Sequence, residues 1–484
     1  MNYNLLQERW IPVLWTNGEV GRVGIKTALT ESGHIRQIAA SNPMDRVAII
    51  RFLLAVLYWC KGDPLPDADA TSGDSFPADW FSKLDDSFDC FNLLSDGKRF
   101  YQYRKHGDKL LSANYLIHEI PTGTNKWHFR HSTDEVEGLC PACCAMGLLR
   151  LPLFSTSGGR GKPPGINAKP PIYVIPMGES LAVTLRLSWR QISDLGIPAW
   201  EQPDLQLPEI GEVPLLTGLT WLPRRVWLDN PKGPESACIS CGRIEHMIKL
   251  CVFAPIGSTK TGEGSPGRIW RDPHVIYEQS GKGDIPSLHS LHAYDALGAA
   301  DAAAGQWAKI MAGMLRKVAR NDRISLWAVG FSTVQNDKYL EAIEYLVPFP
   351  SSQNQTETFI EKIEQWQKQC GGLVRNLVRK VKTQHVKASS RKHVEIPPVL
   401  AAIRPHVEGT VSARMDKLLS GGDNAWEQAA AEYSPMMDAI AKSLSPGFTI
   451  SAVQRRKEIA KVLPDMRPKA ESAEKTHRKK GGEK

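Results

Sequence analysis

The stretch HFRHSTDEVEGLCPACCAMGLLRLPLFSTSGGRGKPPGINAKPP, residues 128–171, holds two features around which this chain is organised. The first is a Cys-x-x-Cys pair, Cys140 and Cys143, and a second pair, Cys238 and Cys241, follows in the segment ACISCG. Four thiolates in two such pairs suit one tetrahedral zinc ion, because each pair closes a tight turn around the metal. A closed four-cysteine site leaves no coordination position for water or substrate, so the pattern predicts a structural zinc site.

Two alternatives to this zinc site remain open at the level of sequence. In the first, the cysteines are unliganded thiols, because the long separation between the pairs is less diagnostic than a compact finger. In the second, the ligand set differs: His131 or His246 replaces one sulfur, or the neighbouring Cys144 or Cys251 takes part.

The second feature of the stretch is the glycine- and proline-rich loop SGGRGKPPG at residues 157–165. It does not match a nucleotide-binding P-loop, because that pattern continues from Gly-Lys into Ser or Thr, whereas two prolines follow here. Glycine has no Cβ, so such a loop allows close approach of its backbone to a partner. It is suited to entering a DNA minor groove, and the common alternative is an ordinary surface loop. The candidate residues are Gly158, Gly159, Arg160, Gly161 and Lys162.

Length and composition indicate a globular protein of several domains. The chain has 484 residues, of which 42% are apolar and 23% charged, and this length predicts two or three domains. The opening MNYNLLQERWIPVLW carries charges where a signal peptide needs an apolar core. The most apolar run, Val47–Cys60, is shorter than the roughly 20 residues that cross a bilayer. With nine cysteines, these features predict a cytoplasmic protein with metal-bound or free thiols and no membrane partner.

The net charge of +8 is distributed unevenly along the chain. Residues 361–484 contain 24 Lys and Arg residues against 14 Asp and Glu, whereas the first 360 residues contain 36 against 38. No acidic residue lies between Glu364 and Glu395, while basic residues accumulate there. A solvated helix face normally interleaves both signs, so this run favours a polyanionic partner such as nucleic acid.

Hydrophobic periodicity predicts an α+β protein in which mixed helices and strands give way to helices alone near residue 356. For the mixed domain, residues 1–355, we expect strands at Ile11–Trp15, Ile172–Ile175, Leu181–Leu187 and Ile324–Phe331. Helices are expected at Val47–Trp59, with Asn42 as N-cap, and at Ala302–Ala319. Four amphipathic segments joined by short loops then predict a C-terminal four-helix bundle at 356–465. Residues 466–484 are predicted to be a basic, disordered tail.

Two more segments of the mixed domain carry candidate residues. The segment STKTGEGSPGR, residues 258–268, is small and flexible in composition and contains Lys260. The segment FSTVQNDK, residues 331–338, lies between two strand-like runs and predicts a hairpin with Gln335 at its tip. Taken alone, a lysine on a loop and an amide on a turn are ordinary surface features.

Together and in this order, these segments resemble the CasA family, the large subunit of Cascade, the type I-E CRISPR RNA-guided surveillance complex. The resemblance spans nearly the whole chain. It is carried by LLQERWIPV near the N-terminus, the pairs CPAC and CISC, the glycine loop between them, WRDPH at 270–274, the GFSTVQ hairpin and the C-terminal helices. The chain departs from the family in its glycine loop, where Arg160, Lys162 and paired prolines replace a longer glycine run.

The resemblance implies that guide RNA reads the target sequence, while this protein reads a short flanking motif on the DNA duplex. In such a protein, a glycine loop, a lysine finger and a glutamine wedge act from the minor groove. By correspondence of motifs they fall on Gly158, Gly159, Arg160 and Gly161, on Lys260, and on Gln335.

The resemblance also implies a set of partners and no catalytic activity. A loop before Cys140, with Phe129 and His131, would anchor the guide RNA, and the protein would join other Cascade subunits, bind double-stranded target DNA and recruit a helicase-nuclease. DNA phosphates would be held by basic residues of the bundle: Arg375, Arg379, Lys380, Lys382 and Arg391. The alternative from another class is a zinc-dependent hydrolase or nuclease that uses His118, His128 and His131 with the cysteines.

Overall fold

The computed structural model describes ten ranges of the chain: 2–64, 69–117, 138–155, 172–192, 194–208, 211–256, 268–270, 273–277, 324–334 and 338–348. The predicted bundle at 356–465, the tail at 466–484 and the helix expected at Ala302–Ala319 lie outside these ranges, so they stay predictions. The described part mixes helices and strands, as the sequence predicts.

Six α-helices are described: α1 Ile25–Thr30, α2 Pro43–Lys61, α3 Ser82–Asp86, α4 Pro141–Phe154, α5 Leu181–Ser188 and α6 Leu215–Thr220. Short 3-10 turns occur at Ala78–Phe81, Phe88–Phe91 and Ala113–Leu116. No helix within the described ranges combines the length and the apolar character needed to cross a bilayer.

Sixteen strands are described. In chain order they are β1 Tyr3–Asn4, β2 Ile11–Trp15, β3 Val20–Val23, β4 Ile35–Ile38, β5 Asn92–Leu94, β6 Leu110–Ser112, β7 Ile172–Met177, β8 Gly211–Val213, β9 Arg224–Leu228, β10 Ser236–Ala237, β11 Ile244–Glu245, β12 Leu250–Pro255, β13 Arg268–Trp270, β14 Val275–Tyr277, β15 Ser325–Val334 and β16 Lys338–Pro348.

Helix α2 is the centre of the core, as predicted for Val47–Trp59. The Asn42 side chain accepts a hydrogen bond from the Met44 backbone amide at 2.9 Å, and Pro43 is the first helical residue. The helix ends at Gly62, whose φ of 78° is a conformation that glycine adopts without steric cost. Residues 47–59 are buried throughout, because α4, α5, α6 and β15 surround the helix.

The prediction of a strand at Leu181–Leu187 is wrong, because this segment forms helix α5. The Ser180 hydroxyl caps the helix by accepting from the Val183 amide at 3.4 Å. Apolar residues in LAVTLRL alternate as in a strand but also recur at helical spacing, so the pattern is ambiguous. Tertiary contacts on nearly every side resolve it, since all but one residue of the helix is buried.

Two antiparallel sheets carry the segments that matter for function. The first, which we call the hairpin sheet, has four strands in the order β14-β7-β15-β16. The second, which we call the Trp227 sheet, has three strands in the order β6-β12-β9. A further three-stranded sheet, β3-β2-β4, and the pairs β1-β5, β10-β11 and β13-β8 complete the described sheets.

Candidate metal centre and nucleic-acid interface

Four cysteines from distant parts of the chain form a metal-binding geometry. The Sγ atoms of Cys140, Cys143, Cys238 and Cys241 all lie within 4.8 Å of one another, and those of Cys140 and Cys241 are 3.7 Å apart. Tetrahedral zinc with sulfur ligands at about 2.3 Å requires sulfur atoms about 3.8 Å apart. The four thiols therefore fit a closed structural zinc site, as predicted, and zinc bound there would stabilise the fold without an open position for chemistry.

Local backbone structure brings the two cysteine pairs together. Cys140 precedes Pro141 at the start of α4, and its backbone amide donates to the Cys238 Sγ at 3.3 Å. The second pair lies in the turn between β10 and β11, where the Gly242 amide donates to the Cys238 carbonyl oxygen at 2.8 Å. Leu139 exchanges two backbone hydrogen bonds with Ile248, of 2.9 and 2.8 Å, which join the root of α4 to the segment before β12.

Hydrogen bonds among the thiols separate their pKa values. Hydrogen bonds with the Cys140 thiol, and then with the Cys238 thiol, raise the pKa of Cys143 far above its ordinary value. The Cys238 sulfur accepts hydrogen bonds, first from Cys140 and then from Cys143, so its pKa lies well below the ordinary value. A thiolate is thus already favoured at one position of the cluster, which is the protonation state that a metal requires.

The alternative ligands do not join this cluster in the described part of the chain. The His246 Nδ1 lies 3.2 Å from the Gly233 carbonyl oxygen and its other nitrogen faces Glu235. Cys251 is buried one strand away, with its sulfur 3.8 Å from the Ser112 carbonyl oxygen. His131 lies outside the described ranges.

The elements on the two sides of the glycine loop, the end of α4 and the start of β7, are in direct contact, and we call this contact the neck. Gly158, Gly159, Arg160 and Gly161 lie outside the described ranges, but the elements on both sides are described. The Tyr173 hydroxyl of β7 donates to the Leu153 carbonyl oxygen of α4 at 3.2 Å, and the Tyr173 and Phe154 rings meet edge to face at 5.6 Å. The described residues on the two sides of the loop are therefore in direct contact.

Strand β15 of the hairpin sheet passes this neck and continues towards the predicted wedge residue, which follows it in the sequence. Strands β15 and β16 pair antiparallel from Ser325↔Pro348 to Val334↔Lys338, which confirms the predicted hairpin. Ile172, the first residue of β7, pairs with Gly330. The hairpin continues four residues past that pair, about 13 Å at 3.3 Å per residue. Gln335 follows Val334 directly and lies itself outside the described ranges.

Arg46 fastens the hairpin to α2. Its guanidinium lies 5.1 Å from the centroid of the Trp327 ring, and its Nη2 forms an ion pair of 2.6 Å with the Glu344 carboxylate on the facing strand. The Trp327 Nε1 also donates to Glu344, at 3.3 Å. The preceding residue, Asp45, pairs with Arg150 of α4 at 2.5 Å. These contacts connect the helix that begins at the cysteine cluster with the hairpin.

The lysine-finger segment leaves from the Trp227 sheet. Strand β12 ends at Pro255, five residues before Lys260, which lies outside the described ranges. The landmark that follows Lys260 is partly described: the His274 ring is buried, with Nδ1 3.2 Å from the Arg51 Nη1 and Nε2 3.0 Å from the Ser188 Oγ. Because arginine only donates, Nδ1 accepts and Nε2 donates to Ser188.

The remaining site predictions all fall outside the described ranges. This applies to the anchor-loop residues Phe129 and His131, to the hydrolase candidates His118 and His128, and to the phosphate-binding residues Arg375, Arg379, Lys380, Lys382 and Arg391. They stay predictions. The contacts of Arg46 with Glu344 and of Arg104 with Trp227 join residues far apart in sequence, so no local pattern predicts them.

The fold and the cysteine cluster define the class as a mixed α/β protein with two antiparallel sheets and a four-cysteine cluster that could hold a metal ion. The family model described as CRISPR-associated protein Cse1 matches residues 4–464, so the chain belongs to the Cse1 family.

Individual relatives agree with this assignment. The CRISPR-associated protein CasA/Cse1 of Thermus thermophilus is 28% identical over 229 residues, and the matched region spans 43% of this chain and 44% of that protein, less than half of its length. The crystal structure of Thermus thermophilus CasA superposes with a TM-score of 0.64 at 18% identity, over 96% of this chain and 100% of the other. A chain of a structure titled CRISPR RNA-guided surveillance complex gives 0.62 at 14% identity, over 96% and 99%. At these identities the superpositions show a shared fold.

Proposed function

We propose that this chain is the large, non-catalytic subunit of a Cascade-type CRISPR RNA-guided DNA surveillance complex that acts in antiviral defence. It recognises the protospacer-adjacent motif in duplex DNA from the minor groove and opens the duplex to start R-loop formation. The family match over residues 4–464 supports this function, and so does the fold shared with a chain of a surveillance complex.

The observation that carries the proposal is the arrangement of the hairpin sheet. Pairing of Ile172 with Gly330 brings the end of the glycine loop and the hairpin that carries Gln335 to the same end of one sheet. A loop whose backbone contacts the minor groove and a side chain that inserts between bases must act on adjacent base pairs. Both therefore need to be supported by the same part of the fold. Neighbouring strands about 4.8 Å apart provide this support.

The wedge step has a definite energetic requirement. Unstacking one base step costs a few kcal/mol, which new contacts must offset. Gln335 at a hairpin tip supplies a side chain that fills the gap and hydrogen-bonds to base edges. Lys260 supplies a cation beside the motif. The guide RNA pairs with the target strand once the duplex opens, and the protein reads only the flanking motif.

The other partners follow from the same proposal. Phe129 and His131 anchor the guide RNA, and Arg375, Arg379, Lys380, Lys382 and Arg391 hold DNA phosphates through salt-sensitive contacts. Other Cascade subunits complete the complex, and a helicase-nuclease recruited by it cuts the DNA. The subunit acts in the cytoplasm, where guide and invading DNA meet.

Structural zinc would serve this function by linking the hairpin sheet to the Trp227 sheet. The cluster joins the root of α4, which leads to the glycine loop, to the segment before β12, which leads to Lys260. Losing the metal would release the start of α4 and the segment before β12 from each other. The runner-up, a zinc-dependent hydrolase, needs an open coordination position, whereas four cysteine ligands close the site.

The test compares duplex binding by the assembled, guide-loaded complex with binding to a target already unpaired at the flank. Gln335→Ala should weaken duplex binding about tenfold or more, since each 1.4 kcal/mol is a factor of ten, and leave the unpaired target within twofold. Lys260→Ala should weaken binding and reduce discrimination among the three flanking base pairs. Gln37→Ala, at an exposed amide of β4, is the matched control.

Equal loss on duplex and unpaired target would contradict a wedge, and no loss in either variant would contradict the residue assignments. The hydrolase alternative has its own test with a chelator. Loss of folding or assembly on metal removal supports a structural site, whereas loss of turnover by an intact protein would support the hydrolase.

A further inference from the structure

A strongly basic turn lies next to the root of the lysine-finger segment. The turn, residues 104–109 (RKHGDK), contains one acidic residue, Asp108, and three basic ones, Arg104, Lys105 and Lys109, and Lys98 and Arg99 precede it in the chain. The side chains of Arg104, Lys105, His106 and Lys109 are exposed. Within the described ranges, neither Lys105 nor Lys109 forms an ion pair. This concentration of positive charge lies far in sequence from the basic residues of the predicted C-terminal bundle.

The backbone of this turn is held rigidly. The Asp108 carboxylate accepts from the Lys105 backbone amide at 2.7 Å, the Asp108 amide donates to the Lys105 carbonyl oxygen at 3.2 Å, and Gly107 has a φ of 84°. The same carboxylate pairs with Arg225 of β9 at 2.5 Å, with side-chain exposures of 9% and 12%. The only acid of the turn is therefore already paired with Arg225, and its neighbouring cations are presented in a fixed geometry.

An aromatic platform lies beside the turn. The guanidinium groups of Arg99 and Arg104 lie 4.3 and 4.8 Å from the centroid of the Trp227 ring. Arg99 also donates to the carbonyl oxygens of Ser95 and Leu228, both at 2.6 Å, and so serves the fold. Arg104 is exposed, and stacking on Trp227 restrains its long side chain, which lowers the entropy cost of binding an anion.

Strand pairing places the turn at the end of the sheet from which the lysine-finger segment leaves. Leu110, which follows the turn, pairs with Val252 of β12, three residues before that strand ends at Pro255. Arg225 joins the two directly, because it binds Asp108 and also donates to the Pro255 carbonyl oxygen. Lys260 follows five residues later in the chain.

We propose that the turn Arg104–Lys109, together with Trp227, contacts the phosphodiester backbone of the DNA duplex beside the flanking motif. This inference rests on the proposed function and adds a second, sequence-independent contact to it. Lysine ammonium groups and an exposed guanidinium bind phosphate oxygens, and such contacts set orientation and register without reading bases. The turn thereby orients the duplex so that the lysine-finger segment meets its groove.

The test measures how duplex affinity of the guide-loaded complex depends on salt. The double variant Lys105→Ala/Lys109→Ala should weaken binding roughly tenfold at physiological salt, equally for every flanking sequence. It should reduce the slope of log K against log salt by about 1.8, or about 0.9 per lost phosphate contact. Lys232→Ala/Lys249→Ala removes the same charge from exposed lysines at the opposite end of the same sheet, and should leave affinity within twofold and the slope unchanged.

Three outcomes would overturn the inference. Unchanged slope in the Lys105/Lys109 variant contradicts any phosphate contact there. Loss of guide RNA from the purified complex would indicate an RNA contact, and loss of the subunit from the complex on size exclusion would indicate a protein interface. If Gln335→Ala weakens duplex binding but the turn variant does not, only this inference fails. If neither variant weakens it, both this inference and the assignment of Gln335 fail.

Discussion

The hairpin sheet and the Trp227 sheet each support a segment predicted to meet DNA, but they present opposite chemistry. At the end of the hairpin sheet lie the start of β7, which follows the glycine loop in the sequence, and the last paired residues of the hairpin, directly before the predicted wedge residue Gln335. At the end of the Trp227 sheet lie a rigid cationic turn and the root of the segment that carries Lys260. The first end is suited to shape and insertion, the second to charge.

Under the proposed function, the difference separates sequence-independent attraction from base insertion. Charge contacts to phosphates act on any sequence and weaken with salt, whereas backbone approach and base insertion depend on the sequence and geometry of the duplex. The Trp227 sheet also leads to Lys260, so charge at that end is proposed to serve both attraction and recognition of the motif. The cysteine cluster and the ion pairs of α2 then hold the two sheets in one geometry.

The largest effect on stability and assembly is expected from removing a cysteine ligand of the metal that would link the hairpin sheet to the Trp227 sheet. Cys238→Ala removes one of four ligands, and structural zinc contributes about 10–16 kcal/mol in small peptides, so the variant should lose its metal and unfold or fail to assemble. Metal content per chain and thermal unfolding with and without chelator measure this. Cys90→Ala, at a half-buried cysteine outside the cluster, should keep both properties. Full zinc content in the Cys238 variant would show that the cluster is not the site.

The next largest effect on stability is expected from the ion pair between Asp45 of α2 and Arg150 of α4. Asp45→Ala removes the Asp45 carboxylate from the guanidinium of Arg150, which is 3% exposed, and breaking such a pair typically costs about 3–5 kcal/mol. Urea unfolding should show this loss. Asp85→Ala breaks the exposed pair with Lys26 and should cost at most about 1 kcal/mol. Adding Arg150→Met to Asp45→Ala should recover stability, and failure to recover it would mean that Asp45 acts through some other contact.

A smaller, pH-dependent effect is expected at His274, which lies just before β14 of the hairpin sheet. Burial, followed by the charges of Arg51 and Arg190, lowers the pKa of His274 well below its ordinary value. The unfolded chain, with a histidine pKa near 6.5, therefore binds more protons than the folded one below that pH. The stabilisation is complete above about pH 6.5 and should be lost at about 1.4 kcal/mol per pH unit as the pH falls towards the folded pKa.

Urea unfolding at pH 7.5, 6.5 and 5.5 measures the His274 effect. His274→Gln should flatten the pH dependence by about one proton. An unchanged slope in the His274 variant would mean that other groups carry the acid sensitivity.

The smallest expected effect is at Arg46, which would sharpen the comparison by altering the hairpin sheet alone. Arg46→Ala removes a partly exposed ion pair and a cation–π contact, together about 1 kcal/mol of stability. The informative measurement is the ratio of duplex binding to binding of a target unpaired at the flank, which should fall severalfold because the wedge loses its fixed base. The salt slope should stay unchanged. A reduced slope with an unchanged ratio would assign Arg46 to the charge contacts instead.

Local patterns in the sequence predicted the parts of the fold that depend on local physics. The Asn42 cap with Pro43 at the first position predicted where α2 begins, and the strand-like runs on both sides of FSTVQNDK predicted the hairpin. The cysteine spacing predicted the cluster. The strand expected at Leu181–Leu187 failed because an apolar run buried on most sides carries no reliable period.

Sequence by itself determined which four cysteines form the cluster, the central helix, the hairpin and, through resemblance, the family. Only the tertiary structure decided that the glycine-loop neck and the hairpin lie at one end of one sheet, that Arg46 holds this hairpin, and that a basic turn lies at the root of the lysine-finger segment. The physical reason is that helix caps, turns and metal pairs depend on neighbours in the chain. Strand pairing and ion pairs join residues tens to hundreds of positions apart, and no local pattern encodes which of them meet.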